Sequence, residues 1–381
     1  MKTIQDAPTE KFSFASSVKD DVWHPNQSVK SYEWWYFDAL SDDGRDGVVI
    51  IFLDNFVFSP RYNSLAGQRT PHGAERTTPD ERNPQSAIGD PQSKKIPAVA
   101  FVYYRAGKPR YRAYNEYLPE EFAASETEPA CRIGNSSFKY EAAPYGSGYA
   151  LSINAKLRKN LALEAHFEWL SIESDFAPDR QASAQEDAHV WNLVAPRADV
   201  TGRITVADAR GVNRDVVHFR GTGYHDHNLD NRWLPETVQD WQWGRAHFAD
   251  ATAVFYRYQE RGKTAPITKL YIVRNGALRE RDADYQAQTH ARDKFGLKYP
   301  SRFALTSEDD VRLRVEQTKT IDSSFFYLRF LSEMTLTLPD GKPRQAIGFT
   351  EHLAPRSLKH RWLDFLVSMR IGKNGKGAFL P

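Results

Sequence analysis

The sequence predicts an all-β protein whose sheets close into barrels or sandwiches, with few short helices. Three observations lead to this class. Apolar residues recur with the period of strands, in short runs bounded by Gly, Pro, Asn and Asp. Hairpin signals recur at Asp43-Gly44, Asn275-Gly276 and Asp340-Gly341. Aromatic residues make up 13% of the 381 residues, with 9 Trp, 18 Tyr and 22 Phe, which suits strands, a ring-lined pocket, or both.

The elements follow in chain order. GVVIIFLDNFVFS, AVAFVYYRAG, YALSINAKL, LALEAHFEWL, ATAVFYRYQ and KLYIVRNG are rich in β-branched and aromatic residues. From Leu161 to Trp169 the odd positions are mainly apolar and most even ones polar, as in a half-buried strand. Trp362–Met369 reads as a short helix or a strand. Residues 63–97 and 173–187 are polar and hold no core, so they read as a long loop or lid and a shorter loop. A domain boundary is expected near residue 195, dividing the chain into units 1–195 and 196–381.

Composition excludes several classes. Lys plus Arg is 51 and Asp plus Glu is 49, a formal charge of +2, which argues against a nucleic-acid binder with a strongly basic surface. The lone cysteine, Cys131, rules out an intrachain disulfide and any Cys-rich metal site. The start, MKTIQDAPTEKF, lacks the apolar stretch of a secretory signal, and no run of 18 apolar residues exists. A cytoplasmic location is expected. No P-loop, G-x-S-x-G or H-E-x-x-H motif occurs, and no glycine-rich nucleotide fingerprint.

The densest cluster of chemistry-bearing residues is Gly221-Thr-Gly-Tyr-His-Asp-His-Asn228. On a strand, Tyr224, Asp226 and Asn228 share one face, and His225 and His227 the other. Three readings compete. His225 and His227 are a possible metal pair, with His189, His218, His247 or Glu351 as third ligand. Asp226 is a possible proton donor or acceptor flanked by Tyr224 and Asn228. The third reading is a plain turn. His189 and Trp191 share a face, as do Trp241, Trp243 and Arg245. In the block Tyr32–Tyr36, Glu33 and Trp35 share one face, Trp34 and Tyr36 the other. A carboxyl group walled by such rings resists ionisation and remains an acid near neutral pH, while ring faces stabilise a cation by about 0.5–2 kcal/mol each. That combination suits protonation of an alkene. The C-terminal segment sets Arg356, Lys359, His360 and Arg361 beside Trp362, Leu363, Phe365, Leu366 and Met369, either a terminal core element or a membrane-docking surface.

These blocks resemble a known family. SYEWWYFDALSDDG followed by VFSPRYN, then HVWNLVAPRADV, GTGYHDHNLDNR, W-x-W-G-R-A, and GFTEHLAP with a final Met-Arg are similar, in the same order, to blocks of the acyclic carotenoid 1,2-hydratases (hydroxyneurosporene synthases) and their AttH-like relatives, across residues 22–370. The resemblance extends to fungal Diels–Alderases and terpenoid cyclases. It implies two tandem lipocalin-like β-barrels with an apolar pocket at or near their interface, and no cofactor or metal. It also implies a His-x-Trp pair, here His189 and Trp191, and a Tyr-x-Asp pair, here Tyr224 and Asp226. Two features depart from the hydratase pattern: the long Pro/Arg/Gln-rich stretch after VFSPRYN, and HNLDNR in place of HNWGNR.

The expected activity is therefore an acid-initiated hydratase or cyclase acting on an isoprenoid or other apolar polyene. Asp226 would protonate the alkene. Trp191 and Tyr224 would stabilise the cation, and His189 would orient Asp226 or activate water. Trp241, Trp243, Glu33, Trp35, Asn228 and Arg245 are the expected substrate-binding residues. Two alternatives remain: a cofactor-free pericyclase that folds a linear polyene, and a non-enzymatic lipid or isoprenoid carrier. Expected partners are an apolar small molecule and peripherally a membrane, with no nucleic acid.

Overall fold

The structure, a computed structural model, describes residues 12–26, 28–67, 95–143, 146–177, 188–373 and 375–380. Most of the polar stretch 63–97 and residues 178–187 of the second lie outside the described residues.

Two curled antiparallel sheets dominate, in accord with the all-β, tandem lipocalin-like expectation. The first holds β1 (Phe12–Ala15), β2 (Tyr32–Ser41), β3 (Asp46–Leu53), β4 (Ala98–Arg105), β5 (Lys108–Glu116), β6 (Phe122–Ala124), β7 (Ala130–Ile133), β8 (Ser136–Ala143), β9 (Gly146–Lys156), β10 (Ala162–Glu173), β11 (His189–Ala207) and β12 (Asn213–Asp230). Its order is β5-β4-β3-β2-β12-β11-β10-β9-β8-β7-β6, with β1 parallel to β11. The second holds β13 (Val238–His247), β14 (Thr252–Glu260), β15 (Ile267–Arg274), β16 (Ala277–Asp282), β17 (Asp284–Arg292), β18 (Lys298–Thr306), β19 (Arg312–Ser323), β20 (Tyr327–Thr337) and β21 (Pro343–Leu353). Its order is β16-β15-β14-β13-β21-β20-β19-β18-β17. Short helices are α1 (Pro60–Ala66), α2 (Leu234–Thr237) and α3 (Asp364–Ser368).

The expected hairpin signals sit at turns. Asn275 and Gly276 both have positive φ, 53° and 71°, between β15 and β16, as a two-residue turn of the primed type requires. In β10 the period-2 pattern is realised: Leu163, Ala165, Phe167 and Trp169 are buried, and Glu164, His166 and Glu168 are exposed. The expected boundary at residue 195 falls inside β11. The chain passes between sheets at residues 231–237 instead, because β11 and β12 stay paired along most of their length.

Three apolar cores result. One fills the first barrel (Trp35, Phe37, Trp169, Val200) and one lines the second sheet's far face (Phe255, Phe303, Leu313, Met334). The third lies between the sheets and holds Trp34, Tyr36, Trp191, Tyr224, Trp241, Trp243 and Tyr256. It explains a change along single strands. β12 is exposed on alternate residues through Arg220, then buried at nearly every residue from Gly221 to Asp230. β2 from Tyr32 to Ala39 and β11 from His189 to Pro196 are likewise buried on both faces. These stretches are the wall between the first barrel's interior and the inter-sheet core.

Candidate active site

Strand parity places the site. Pairing sets Asp226 opposite Tyr36, and Asn228 opposite both Trp34 and Trp191, so these side chains project from one face into the inter-sheet core. Gly223 keeps the strand seated: a Cβ there would meet the Trp169 indole and Val200 at 2.5 Å on the barrel side. GTGYHDHN is thus strand interior, and the turn reading is discarded.

Asp226 is 4% exposed. Its Oδ2 accepts from the Tyr224 hydroxyl at 2.7 Å and the Trp191 indole at 3.0 Å, and its Oδ1 accepts from the Asn228 amide at 2.8 Å. Burial drives its pKa up and outweighs the Tyr224 and Trp191 hydrogen bonds. With the nearby negative charges of Glu351 and Asp38, it reaches about 7. Burial, with the charge of Asp226, raises the Tyr224 phenol well above its ordinary value. The Trp243 ring lies 5.1 Å from that of Tyr224 and 5.4 Å from that of Tyr36.

Beside this face lies a cavity of about 340 Å³, whose rings include Trp34, Tyr36, Trp241, Phe326 and Tyr327. Asp226 is not on its surface. Tyr36 belongs to both: it lines the cavity and is the cross-strand partner of Asp226. The cavity also carries a charged pair, of which the sequence singles out only Glu351, as a possible metal ligand rather than a cavity residue. Arg329 donates from Nε and Nη2 to Glu351 Oε1 at 2.8 Å each, and Tyr36 donates to the same oxygen at 3.2 Å. Asp322 completes the polar side, held by Arg112 at 3.0 Å and the Tyr114 hydroxyl at 2.9 Å.

The other expected residues divide. His189 is buried beside the site, but its Nε2 pairs with the Tyr256 hydroxyl at 2.7 Å, and its ring stacks on Tyr258. Burial lowers its pKa to about 3, so it is neutral. It neighbours Asn228, which in turn donates to Asp226; a direct hold on Asp226 is not what the geometry gives. Trp241 lines the cavity. Arg245 shares its face but is committed to Asp38 through Nε at 2.9 Å and lies over Phe349.

Glu33 and Trp35 do not join the site. Period 2 turns them to the opposite face of β2, where Trp35 stacks on His227 at 4.7 Å inside the first barrel. The same polar cluster absorbs His225 and His227, the pair that H-x-H spacing offers as metal ligands. Asp21 contacts His225 Nε2 at 2.9 Å and His227 Nδ1 at 3.2 Å, and Glu33 contacts His227 Nε2 at 2.8 Å and His24 Nδ1 at 3.0 Å. Burial opposes charge on His227, but the hydrogen bonds it donates to the Asp21 and Glu33 carboxylates outweigh it and hold its pKa near 9. Burial likewise opposes the charge of Asp21, and His225 and His227 overcome it to give about 2. The donor atoms of His24, Glu33 and His227 lie within 4.8 Å of one another, so a possible metal-holding set exists on this face, with His24 and Glu33 in place of His225.

Residues 174–379 match the family model described as carotenoid hydratase CrtC. The chain belongs to that family. Membership makes this CrtC-family chain an enzyme of the hydro-lyase type. A similar relative is a protein named hydroxyneurosporene dehydrogenase of Chlorobaculum tepidum, 28% identical over 93% of this chain and 91% of its own. The acyclic carotenoid 1,2-hydratase of Thiocapsa roseopersicina is 24% identical over 65% of this chain, which spans about half (53%) of that relative's length. Among solved structures, an AttH protein of Nitrosomonas europaea superimposes with a TM-score of 0.58 at 13% identity, over 91% of this chain and 98% of that one. That likeness speaks for the fold alone.

Proposed function

We propose that the protein adds a proton to an alkene of an isoprenoid or similar apolar polyene, and that water, or a second alkene of the same molecule, captures the resulting cation. The single observation that carries this reading is Asp226: buried, hydrogen-bonded by Tyr224 and Trp191, opposite Tyr36 across the strands, with Trp243 packed on those tyrosines, and held near pKa 7 by its surroundings. The family relatives named for carotenoid chemistry support the same substrate class.

The chemistry runs in two stages. Protonated Asp226 gives its proton to the less substituted alkene carbon, leaving a carboxylate and a tertiary cation. Tyr224 and Trp191 then hold the new carboxylate by hydrogen bonds that strengthen as it charges. The faces of Tyr36, Trp241 and Trp243 shelter the cation. For hydration, a water oxygen bonds to the cationic carbon and releases one proton, which restores the acid. For cyclisation, an internal alkene attacks instead and a proton is lost from carbon. General acid catalysis contributes about 10²–10⁴-fold, with positioning supplying the rest. Because Tyr36 stands at both the cavity and Asp226, its ring must turn aside for the alkene to reach the acid. His189, neutral and bonded to Tyr256, acts here as a packing neighbour of Asn228.

Replacing Asp226 by Asn tests the reading. Turnover of an acyclic carotenoid should fall by at least about 10³-fold with the fold intact. Product formed in heavy water should carry new carbon-bound deuterium. Unaltered turnover by Asp226→Asn would defeat the assignment, and deuterium-free product would point to a pericyclic reaction.

A further inference from the structure

The C-terminal segment turns an apolar and basic surface outward beside the cavity. After β21 the chain makes two 3-10 turns, Pro355–Lys359 and Arg361–Leu363, then α3. Leu358, Leu363 and Ile371 are buried and anchor it. Trp362, Phe365 and Phe379 face the other way, 71%, 56% and 76% exposed. Among the described residues Phe295, at 39%, is the one other exposed Trp or Phe, so three larger exposures in eighteen residues mark an interaction surface.

This surface is continuous with the cavity's lining. Leu366, Val367, Arg370 and Leu380 line it, and Leu366 and Leu380 directly follow the exposed rings of Phe365 and Phe379. The backbone N–H of Leu380 donates to the Met369 carbonyl at 2.7 Å, tying the chain's end to α3. Phe295, from the turn after β17, lines the cavity too, is 39% exposed, and lies 5.8 Å beneath the Arg370 guanidinium.

Charge names the partner. From Ala354 to Leu380 the chain carries six cations, Arg356, Lys359, Arg361, Arg370, Lys373 and Lys376, and one acid, Asp364. Arg356, Lys359, Arg361 and Lys376 are exposed. Exposed Trp and Phe amid Lys and Arg match the boundary layer of a bilayer with anionic lipids: rings enter the headgroup–acyl zone and cations meet phosphates. Among the described residues no helix is long and apolar enough to cross a membrane.

We propose that this C-terminal surface docks the protein on an anionic phospholipid bilayer, with the cavity opening toward the lipid so that an apolar substrate passes in without crossing water. The role in delivery rests on the reading of the substrate as an apolar polyene; the docking itself is measured without substrate.

The test is co-sedimentation of the full chain with vesicles of phosphatidylcholine alone or of phosphatidylcholine with phosphatidylglycerol. The protein should bind the anionic vesicles at least about tenfold more tightly, and added salt should release it. Trp362→Ala with Phe379→Ala, and separately Arg356→Glu with Arg361→Glu, should each weaken binding at least about tenfold while leaving the melting temperature within a degree or two of the parent. No sedimentation with either vesicle, equal binding to both, or variants that bind like the parent would overturn the docking. Any of those results leaves the chemistry of Asp226 standing, and an active Asp226→Asn enzyme would leave the docking standing.

Discussion

The Trp191 indole donates to Asp226 Oδ2 at 3.0 Å, from the strand next to the one that carries the acid. With Tyr224 at 2.7 Å on the same oxygen, it stabilises the carboxylate more than the acid. Removing either donor should therefore raise the pKa of Asp226 further. Trp191→Phe and Tyr224→Phe should each move the alkaline limb of the kcat profile upward, by on the order of one pH unit, and lower kcat at the optimum. Profiles measured between pH 5 and 9 check this. A limb that stays in place would separate these residues from the acid.

The unaltered enzyme should be most active below pH 7 and lose activity as pH rises through about 7, where Asp226 ionises. Stability follows the same titration. The folded state holds the Asp226 proton up to about pH 7, whereas the unfolded chain releases it near the ordinary value of 3.8. Between those values the folded state binds more protons, so this group's contribution to stability declines as pH rises, by about 4 kcal/mol in all. Asp226→Asn removes that penalty. Its melting temperature at pH 8 should equal or exceed the parent's, although it is inactive. A strongly destabilised variant at pH 8 would contradict a penalty for the ionised, buried carboxylate.

The opposite face of the same strands should behave differently. Glu33→Gln or His227→Ala breaks a buried charged network and should cost about 3–5 kcal/mol of stability in urea unfolding. His227 has a raised pKa, so its contribution is present below pH 6.5 and lost as pH rises through about 9; Asp21 has a lowered one, so its contribution is present above pH 3.8 and lost as pH falls through about 2. Ligand affinity in the cavity should stay within a few-fold, because neither residue lines it.

Tyr36→Ala should open a direct path between the cavity and Asp226. Binding of an apolar fluorescent probe should gain capacity for a larger ligand. The ratio of hydration to cyclisation product should move toward hydration, because the ring that excludes water is gone. An unchanged product ratio would show that Tyr36 is no barrier.

Much of this was legible from residue order. The period-2 pattern of Leu161–Trp169 gave β10, and parity grouped Tyr224 with Asp226 and His189 with Trp191. Parity separates two faces but does not say which one meets the second sheet when both are buried. That is why Glu33 and Trp35, rather than Trp34 and Tyr36, were expected at the substrate. Arg329, Glu351 and Asp322 meet at the cavity from β20, β21 and β19, and no local spacing announces a meeting made by sheet curvature. The boundary expected at 195 falls inside β11 for a related reason: β11 and β12 are long strands that continue the first sheet beyond the point where composition changes.

The protonation state of Asp226 bears the whole account, and infrared difference spectroscopy reads it without any substrate. Spectra of the parent minus Asp226→Asn, taken from pH 5 to 9, should show the carbonyl stretch of a protonated carboxyl group that fades as pH passes about 7. A difference spectrum showing only carboxylate bands at pH 5 would mean that the acid is already ionised, and alkene protonation by Asp226 would fall with it.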